Sequence, residues 1–241
     1  MKISARNRLK GKIVEMRKGA TTAHVRLDVS GTIVTASITN EAVDEFGLKV
    51  GGTAYAIVKA RYVGVSNWPA HKIARALGRS ELRNVVRADS AQPHYNLLFH
   101  GFERDLLPHC EEEGIAVVPY NPLAGGMLTG KHSAKAPPPE GSRFQLGTAG
   151  ARYQERYWHA REFETIDALR TVAAQAGMTM ATMAMRWVIS NTAITAPIVG
   201  ASKPEQLADS FAAAEQGALP KDLEAKLDEI TREWRAVDAE R

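Results

Sequence analysis

The sequence changes its folding pattern near residue 61, and this change constrains the fold more than any other feature. Before it, apolar and polar residues alternate with a period of two, in short segments separated by glycine, as is typical of β-strands. After it, short β-branched segments alternate with longer segments of helical period. The segment 61–67, RYVGVSN, lies where the two patterns meet. We therefore expect two domains, residues 1–60 and residues 61–241.

Four segments in the first domain predict short antiparallel strands. They are residues 12–16, 22–29, 32–38 and 54–60, separated by glycines and by a Ser-Gly turn. A helix of one or two turns is predicted after the third strand, because Thr39 or Asn40 can cap its N-terminus and Gly47 can end it. Together these elements predict a small all-β barrel of the oligonucleotide-binding class.

The second domain shows the alternation of strands and helices that is typical of an α/β fold with a parallel sheet. Strands are predicted at residues 62–65, 85–92, 115–120 and 196–200, and helices at 67–78, 102–110, 162–176, 181–190, 205–215 and 223–237. Residues 133–150 contain three consecutive prolines and few apolar side chains, and they predict a loop.

The charge of the chain is unevenly distributed. Residues 1–60 contain ten Lys and Arg against five Asp and Glu, a net +5, whereas the remainder contains 21 against 22, a net −1. A basic first domain suits an anionic ligand or a nucleic acid, but the segment lacks the interleaved aromatic residues of a nucleic-acid surface, so we expect no nucleic acid. A merely solvated basic surface remains the alternative.

Several classes of protein are disfavoured by composition. No apolar run approaches the roughly 18 residues of a membrane span, and the first residues lack the apolar core of a signal peptide. The single cysteine, Cys110, excludes a disulfide within the chain. The histidines do not show metal-ligand spacing with carboxylates or cysteine. We therefore expect a cytoplasmic protein with no metal site and no membrane contact.

Four motifs of the first domain resemble the Mop domain of molbindins and molybdate-responsive regulators. They are KISARN at 2–7, ASITNE at 36–41, GLKVG at 47–51 and IVKA at 57–60. The resemblance implies that molybdate or tungstate binds between packed copies of the domain. The residues that would hold it are Ser4 and Arg6 from one copy and Thr39 and Lys59 from another. A tetrahedral dianion needs convergent donors and positive charge, which these side chains supply, and the shared site implies a homo-oligomer.

Four motifs of the second domain resemble the aldo-keto reductases. They are RYVGVSNW at 61–68, QPHYNL at 92–97, PYNPLAGGMLTGK at 119–131 and PIVGASKPEQL at 197–207. They correspond to the C-terminal half of the family's sequence. The resemblance therefore implies a partial (β/α)8 TIM barrel comprising strands five to eight.

The same resemblance implies a site for NADP(H). Its residues would be Ser66, Asn67 and Gln92 at the carboxamide, Tyr120 stacked on the nicotinamide, Asn121, Leu123 and Gly125 at the pyrophosphate, and Ser202, Lys203 and Gln206 at the 2′-phosphate. The catalytic Asp, Tyr, Lys and His of the family belong to its first four strands, and no position here matches their motifs. We therefore assign no catalytic residue.

Three functions remain open from the sequence. The first is an oxyanion-binding protein joined to a truncated, NADP-binding reductase half that does not turn over. The second is an NADPH-dependent reductase of aldehydes or ketones, completed by oligomerisation or by a partner chain. The third is a recombined gene whose product folds poorly. Because four strands of a closed barrel leave two unpaired edges, we expect a soluble form to be a homo-oligomer.

The segment 62–66 fits two folds at once. It matches the closing strand of a Mop domain and also the fifth strand of the reductase barrel. One strand cannot satisfy both, so the sequence leaves open which domain holds it.

Overall fold

The protein is described here by a computed structural model that covers residues 7–58, 62–201 and 203–236. The chain divides into two compact units, one within residues 1–63 and 79–87 and the other within residues 64–78 and 88–241. Each unit has its own cluster of buried apolar side chains. Four residues that the sequence assigned to ligand sites lie outside the described residues: Ser4, Arg6, Lys59 and Ser202.

The first unit contains a four-stranded antiparallel sheet, as the alternating pattern predicted. Its strands are β1 (Asn7–Lys18), β2 (Thr22–Val29), β3 (Thr32–Thr39) and β4 (Thr53–Val58). Their order in the sheet is β3-β2-β1-β4. The register of β1 against β2 shifts between Ile13 and Glu15, and such a bulge bends the strand. The described strands therefore form a curled sheet, a half-barrel, and closure into a full barrel stays a prediction.

One short helix completes the core of the first unit. Helix α1 (Asn40–Glu45) begins where it was predicted, because the Thr39 hydroxyl accepts a hydrogen bond of 3.2 Å from the Ala42 N–H. It buries Val43 against Ile13 and the inward-facing residues of β2. The backbone of Ile13 also bonds Gly51 and Gly52, both at 2.8 Å, which ties the turn before β4 to β1.

The second unit contains a parallel sheet of three short strands. They are β5 (Gly64–Ser66), β6 (Ser90–Gln92) and β7 (Ala116–Val117). Gly64 pairs with Ser90, and Ser90 pairs with Ala116. The segment that fitted two folds therefore pairs with β6, in the second unit.

The predicted fourth strand, 196–200, is not a continuous strand. Two isolated bridges, Val117 with Ile194 and Tyr120 with Ile198, stand in its place. The prediction was wrong because Pro119 and Pro197 have no N–H to donate, and a ladder cannot run through them. The described residues of the second unit thus show three parallel strands, with two of the isolated bridges near the position of the fourth, and the partial barrel of strands five to eight stays a prediction.

Seven helices accompany this sheet among the described residues. They are α2 (Ala70–Arg83), α3 (Leu106–Glu112), α4 (Gly147–Tyr157), α5 (Ala160–Gln175), α6 (Met180–Ser190), α7 (Ala208–Gln216) and α8 (Lys221–Ile230). Short 3-10 turns lie at Gly101–Arg104, Ala124–Thr129, Arg143–Gln145, Pro204–Leu207 and Arg232–Arg235. The bounds of α5 and α6 agree with the predictions within two residues.

Helix α2 ends later than predicted. Gly78 was expected to end it, but the helix continues to Arg83, where Asn84 adopts a φ of 49° and the Val85 N–H bonds the Ser80 carbonyl at 3.0 Å. This is a left-handed helix end, for which asparagine is suited. Residues 85–89 consequently precede β6 and do not belong to it, so the predicted strand 85–92 was too long.

Helix α4 was missed: its first four residues, 147–150, fell within the predicted loop 133–150, and no element was predicted for residues 151–161. It begins after a 3-10 turn, and Gly150 lies so close to the turn that a Cβ there would be 2.7 Å from the Phe144 carbonyl oxygen. Tyr153 and Tyr157, one helical turn apart, face the core. The spacing of these two aromatic residues is the only sequence feature that indicates a helix here. The glycines and polar residues around them are more typical of a loop.

Candidate functional site

The carboxyl ends of the parallel strands bring together residues that the sequence assigned to one site. Ser66 ends β5 and Gln92 ends β6, and both side chains are exposed. The Ser66 hydroxyl donates a hydrogen bond of 3.0 Å to the Gln92 carbonyl, which also accepts the Asn67 N–H at 3.3 Å. Ligands of open parallel sheets and barrels bind at this end of the strands.

Asn67 links the ends of all three strands. Its amide nitrogen donates to the Tyr120 hydroxyl at 2.9 Å, and its amide oxygen accepts the His94 N–H at 3.1 Å. The backbone of Asn67 is left-handed, with a φ of 53°, a conformation that asparagine tolerates better than most residues. The Asn67 side chain, which was expected to bind the nicotinamide carboxamide, therefore already binds Tyr120. One of its amide hydrogens is left for a ligand.

The ring of Tyr120 is half-buried and stacks on the ring of His94. The ring centroids are 5.3 Å apart and the planes are inclined by 24°. His94 also stacks on Phe99, at 4.6 Å and 19°. The position of the Tyr120 ring is thus fixed at its hydroxyl by Asn67 and on its face by His94.

A buried polar network lies behind this stack. His94 Nε2 contacts the Tyr157 hydroxyl and lies 3.1 Å from Asn96 Nδ2. The Tyr157 oxygen accepts from Asn96 Nδ2 at 3.2 Å and from Asn121 Nδ2 at 3.1 Å. Since an amide nitrogen can only donate, the Tyr157 hydroxyl donates to His94 Nε2. The imidazole hydrogen is therefore assigned to Nδ1, which is buried and has no hydrogen-bond partner among the described residues.

Both titratable groups of this network are held neutral. Burial, assisted by the nearby charge of Arg156, lowers the pKa of His94 from 6.5 to about 3. Burial raises the pKa of Tyr157 far above its usual value of 10.0. A tyrosine that is 2 % exposed and cannot readily ionise is unsuited to deliver a proton to a substrate.

The loop after Tyr120 has an unusual backbone. Asn121, Ala124, Gly125 and Gly126 all have positive φ, between 50° and 105°. A Cβ on Gly125 would lie 2.6 Å from the Tyr153 ring, so only glycine fits there.

The donors of this loop are already used within it. The N–H groups of Ala124, Gly125 and Gly126 bond the Asn121 carbonyl, the Asn121 side chain and the Leu123 carbonyl, at 3.0, 2.7 and 2.8 Å. Leu123 packs against the core. Asn121, Leu123 and Gly125 therefore shape the loop, and a bound pyrophosphate would need donors besides these amides.

Two further assigned residues lie on a short turn near the end of the chain. Lys203 directly precedes the 3-10 turn Pro204–Leu207, and the Gln206 N–H bonds its carbonyl at 3.1 Å. Both residues are exposed. Their side chains are thus accessible to an anionic group, and the neighbouring Ser202 lies outside the described residues.

One residue assigned to the oxyanion lies in the described part of the first unit. Thr39 ends β3 and caps α1, so its hydroxyl oxygen is engaged with the Ala42 N–H. The hydroxyl hydrogen remains able to donate to an anion. With Ser4, Arg6 and Lys59 outside the described residues, the grouping of these four stays a prediction.

The described residues also bear on metal sites, the free thiol and membrane spans. In the described part of the chain, no three or more His, Cys, Asp or Glu side chains are grouped so that they could hold a metal ion. Cys110 is buried on α3, and burial raises the pKa of its thiol from 9.0 to about 11. None of the helices covered by the structure is long and apolar enough to cross a membrane.

The sequence did not identify His94, Asn96 and Tyr157 as parts of the site. A signal for His94 was present, since it lies two residues after Gln92 in an extended segment and so points to the same side of the chain. Tyr157 gave no such signal, because it reaches His94 across 63 positions of sequence.

Comparison with known proteins agrees with the two patterns. The profile of the TOBE domain matches residues 3–64, and that of the Aldo/keto reductase family matches residues 59–232. The two matches overlap at residues 59–64, where the sequence pattern changes. Both resemblances are thereby confirmed at the level of the family.

Individual relatives match only the second part of the chain. An aldo-keto reductase of Pseudocercospora fijiensis is 31% identical over 180 residues, which are 72% of this chain and 60% of that protein. A putative voltage-gated potassium channel subunit beta of Schizosaccharomyces pombe is 33% identical over 175 residues, 71% of this chain and 50% of the relative. Aflatoxin B1 aldehyde reductase member 2 of Rattus norvegicus is 30% identical over 187 residues, 73% and 50% of the two chains. The chain thus spans between half and three-fifths of the length of these relatives.

Proposed function

The chain belongs to the Aldo/keto reductase family over residues 59–232, with a TOBE domain at residues 3–64, and from this premise we propose that it binds two ligands. The second unit would bind NADP(H), and the first would bind molybdate or tungstate. Reduction of aldehydes or ketones would require residues from outside this chain.

The proposal for NADP(H) rests on the junction of Asn67, Gln92 and Tyr120 at the carboxyl ends of the strands. A nicotinamide carboxamide has one donor and one acceptor group, and the exposed amide of Gln92 offers the complementary pair. The ring of Tyr120, fixed by two contacts, offers a flat surface for the nicotinamide. These features fit the nicotinamide end of the cofactor.

The phosphate groups would be held by positive charge rather than by the loop amides. Lys203, with Ser202 and Gln206, is proposed for the 2′-phosphate. Exposed Lys131 follows the loop, and its Nζ lies 3.7 Å from where a Cβ on Gly126 would be, so it is available near the pyrophosphate. Asn121, Leu123 and Gly125 would shape the loop beside it.

Carbonyl reduction needs a hydride, which NADPH supplies when bound, and a proton donor beside the carbonyl. We expect no position of this chain to match the motifs of the family's catalytic residues, and Tyr157 is buried and held neutral. We therefore propose that the chain binds the cofactor but does not turn over alone. The second candidate function, an NADPH-dependent reductase completed by another chain, rests on the family match alone.

The proposal for the oxyanion rests on the TOBE match and on the basic character of the first sixty residues, a net +5. Ser4, Arg6, Thr39 and Lys59 are the proposed contacts. Guanidinium, ammonium and hydroxyl groups together provide the charge and the donors that a tetrahedral dianion requires.

We also propose a homo-oligomer. Among the described strands, β5 pairs only with β6, so one edge of the parallel sheet is unpaired there. An exposed edge favours pairing with another chain, and a second copy would supply one.

The experiment that tests these proposals uses one preparation of the full chain. Light scattering after size exclusion gives the oligomeric state, and calorimetry on the same fraction gives the affinities for NADPH and molybdate, with NADH and sulfate as matched controls. Binding of NADPH and molybdate at micromolar concentration supports both sites. Absence of either interaction overturns the corresponding site, and a well-behaved monomer overturns the oligomer.

The second candidate needs a separate measurement. Steady NADPH consumption with a panel of aldehydes, lost in the Gln92→Ala variant, would establish turnover by the purified chain. Turnover would also contradict the proposal that the chain needs a proton donor from elsewhere.

A further inference from the structure

We propose that His94 is a positioning residue, which presents the Tyr120 ring to the nicotinamide by supporting one of its faces. The inference rests on the proposed NADP(H) site and adds to it a residue that does not itself touch the cofactor. It is carried by the geometry around His94, which connects Tyr120 to the buried interior.

The first step is the support of the ring. His94 covers one face of Tyr120 at a centroid distance of 5.3 Å, and its backbone N–H holds Asn67, which in turn holds the Tyr120 hydroxyl. His94 therefore acts on Tyr120 in two ways, directly through its ring and indirectly through Asn67. With one face occupied, a flat nicotinamide would have to stack on the other.

The second step is the fixation of His94 itself. The imidazole is 3 % exposed, stacks also on Phe99 and is anchored at Nε2 by the Tyr157 hydroxyl. A side chain with stacked partners and a hydrogen-bonded ring nitrogen has no freedom to rotate. The support that it gives Tyr120 is therefore rigid, which lowers the entropy lost when a cofactor binds.

The third step concerns charge. An imidazolium on the far face of Tyr120 would repel the positively charged ring of NADP+. Desolvation keeps the pKa of His94 near 3, so the support is neutral at all pH values at which the protein would work. A neutral histidine can thus support both oxidation states of the cofactor.

The test compares four variants with the wild type. His94→Ala removes the supporting ring, His94→Phe keeps a ring but loses the anchor at Nε2, and Tyr157→Phe removes the anchor while leaving His94 in place. His132→Phe is the control, because His132 is buried equally, at 3 % exposure, but packs on Phe144 and Trp158. The full chain is used throughout.

Two readouts are required. The first is the NMR signal of ring-labelled Tyr120 in the absence of cofactor, assigned among the six tyrosines by a Tyr120→Phe spectrum. The second is the dissociation constant for NADPH. The Tyr120 signal reports both the stacked neighbour and the orientation of the ring, and general loss of stability would change neither in the folded fraction.

We expect His94→Ala to shift the Tyr120 signal and to weaken NADPH binding by about three- to tenfold. This is the change in affinity that corresponds to the loss of one aromatic stacking contact. His94→Phe and Tyr157→Phe should produce smaller changes in the same direction, and His132→Phe should change neither readout. Unchanged NADPH affinity in His94→Ala overturns the role of His94 alone, whatever the shift of the Tyr120 signal. Equal losses in His94→Ala and His132→Phe also overturn it, whereas a wild type that binds no NADPH overturns the proposed function.

Discussion

The amide nitrogen of Asn67 donates a 2.9 Å hydrogen bond to the hydroxyl of Tyr120, and this bond joins the ends of two strands that are not neighbours in the sheet. Strand β6 lies between them, and His94, two residues after β6 ends, donates its N–H to the oxygen of the same amide. One side chain thus holds the three strand ends in register. The same contact fixes the ring on which we propose that the nicotinamide stacks.

The Asn67→Gly variant should therefore lose both stability and NADPH affinity. Glycine adopts the φ of 53° without strain, so the change removes the two side-chain bonds and little else. We expect the free energy of unfolding to fall by about 1 to 3 kcal/mol, measured by urea denaturation. Ser30→Gly, at a φ of 54° in the first unit, is the control, and it should affect neither stability to that extent nor NADPH affinity. Equal behaviour of the two variants would contradict the structural role of Asn67.

The loop after Tyr120 should tolerate no side chain at Gly125. An alanine there would meet the Tyr153 ring at 2.6 Å and would also adopt a left-handed φ of 68°. Gly147→Ala provides a matched control, because its φ is 50° and no atom lies within 4 Å of the added Cβ. Backbone strain costs each variant about 1 kcal/mol, so the extra loss in Gly125→Ala measures the clash. Thermal unfolding of both variants provides the comparison, and similar melting temperatures would show that the loop relaxes around Tyr153.

Stability should fall as the pH is lowered below about 6.5. Burial lowers the pKa of His94 to about 3 and that of His132 to about 4, with the charges of Arg156 and Lys131 as second causes. Between pH 6.5 and these native pKa values, both histidines take up a proton when the protein unfolds. The free energy of unfolding is therefore at its full value above pH 6.5 and falls progressively as the pH is lowered to between 3 and 4. Each group contributes a slope of about 1.4 kcal/mol per pH unit between its two pKa values.

Urea denaturation between pH 7.5 and 4.5 measures this slope. His132→Phe should reduce it, since the variant has one histidine fewer to protonate on unfolding. A slope that is the same in the variant and the wild type would show that His132 is not held neutral in the native state.

The parts of this structure that could be predicted from sequence are those set by neighbouring residues. The strands of the first unit follow from alternation, and α1 follows from the Thr39 cap three residues before Ala42. The motif residues Ser66, Gln92 and Tyr120 were also assigned to one site, because their motifs resemble those of the aldo-keto reductases.

The parts that could not be predicted depend on distant contacts. Helix α4 is stabilised by burying Tyr157, whose partner His94 lies 63 positions earlier. The continuous strand predicted at 196–200 is not formed, because Pro197 within it and Pro119, which lies two residues after β7, have no N–H to donate. Asn67 was assigned to the carboxamide, and its additional bond to Tyr120, which lies 53 positions away, was not predicted. Local pattern contains no information about such pairs.

The oxyanion site of the first unit can be tested at Thr39 without disturbing the fold. Aspartate caps a helix as well as threonine does, so Thr39→Asp should keep α1 and change the free energy of unfolding by less than about 0.5 kcal/mol. Its carboxylate would, however, lie where the proposed dianion accepts a hydrogen bond, and like charges repel. We expect calorimetry to show that molybdate binding is lost in Thr39→Asp and retained in Thr39→Ser, which keeps both the cap and the hydroxyl. Thr39→Val, which loses both, should be less stable and should also bind less molybdate. If Thr39→Asp binds molybdate as tightly as the wild type, Thr39 does not contact the oxyanion, and only the cap explains its place at the end of β3.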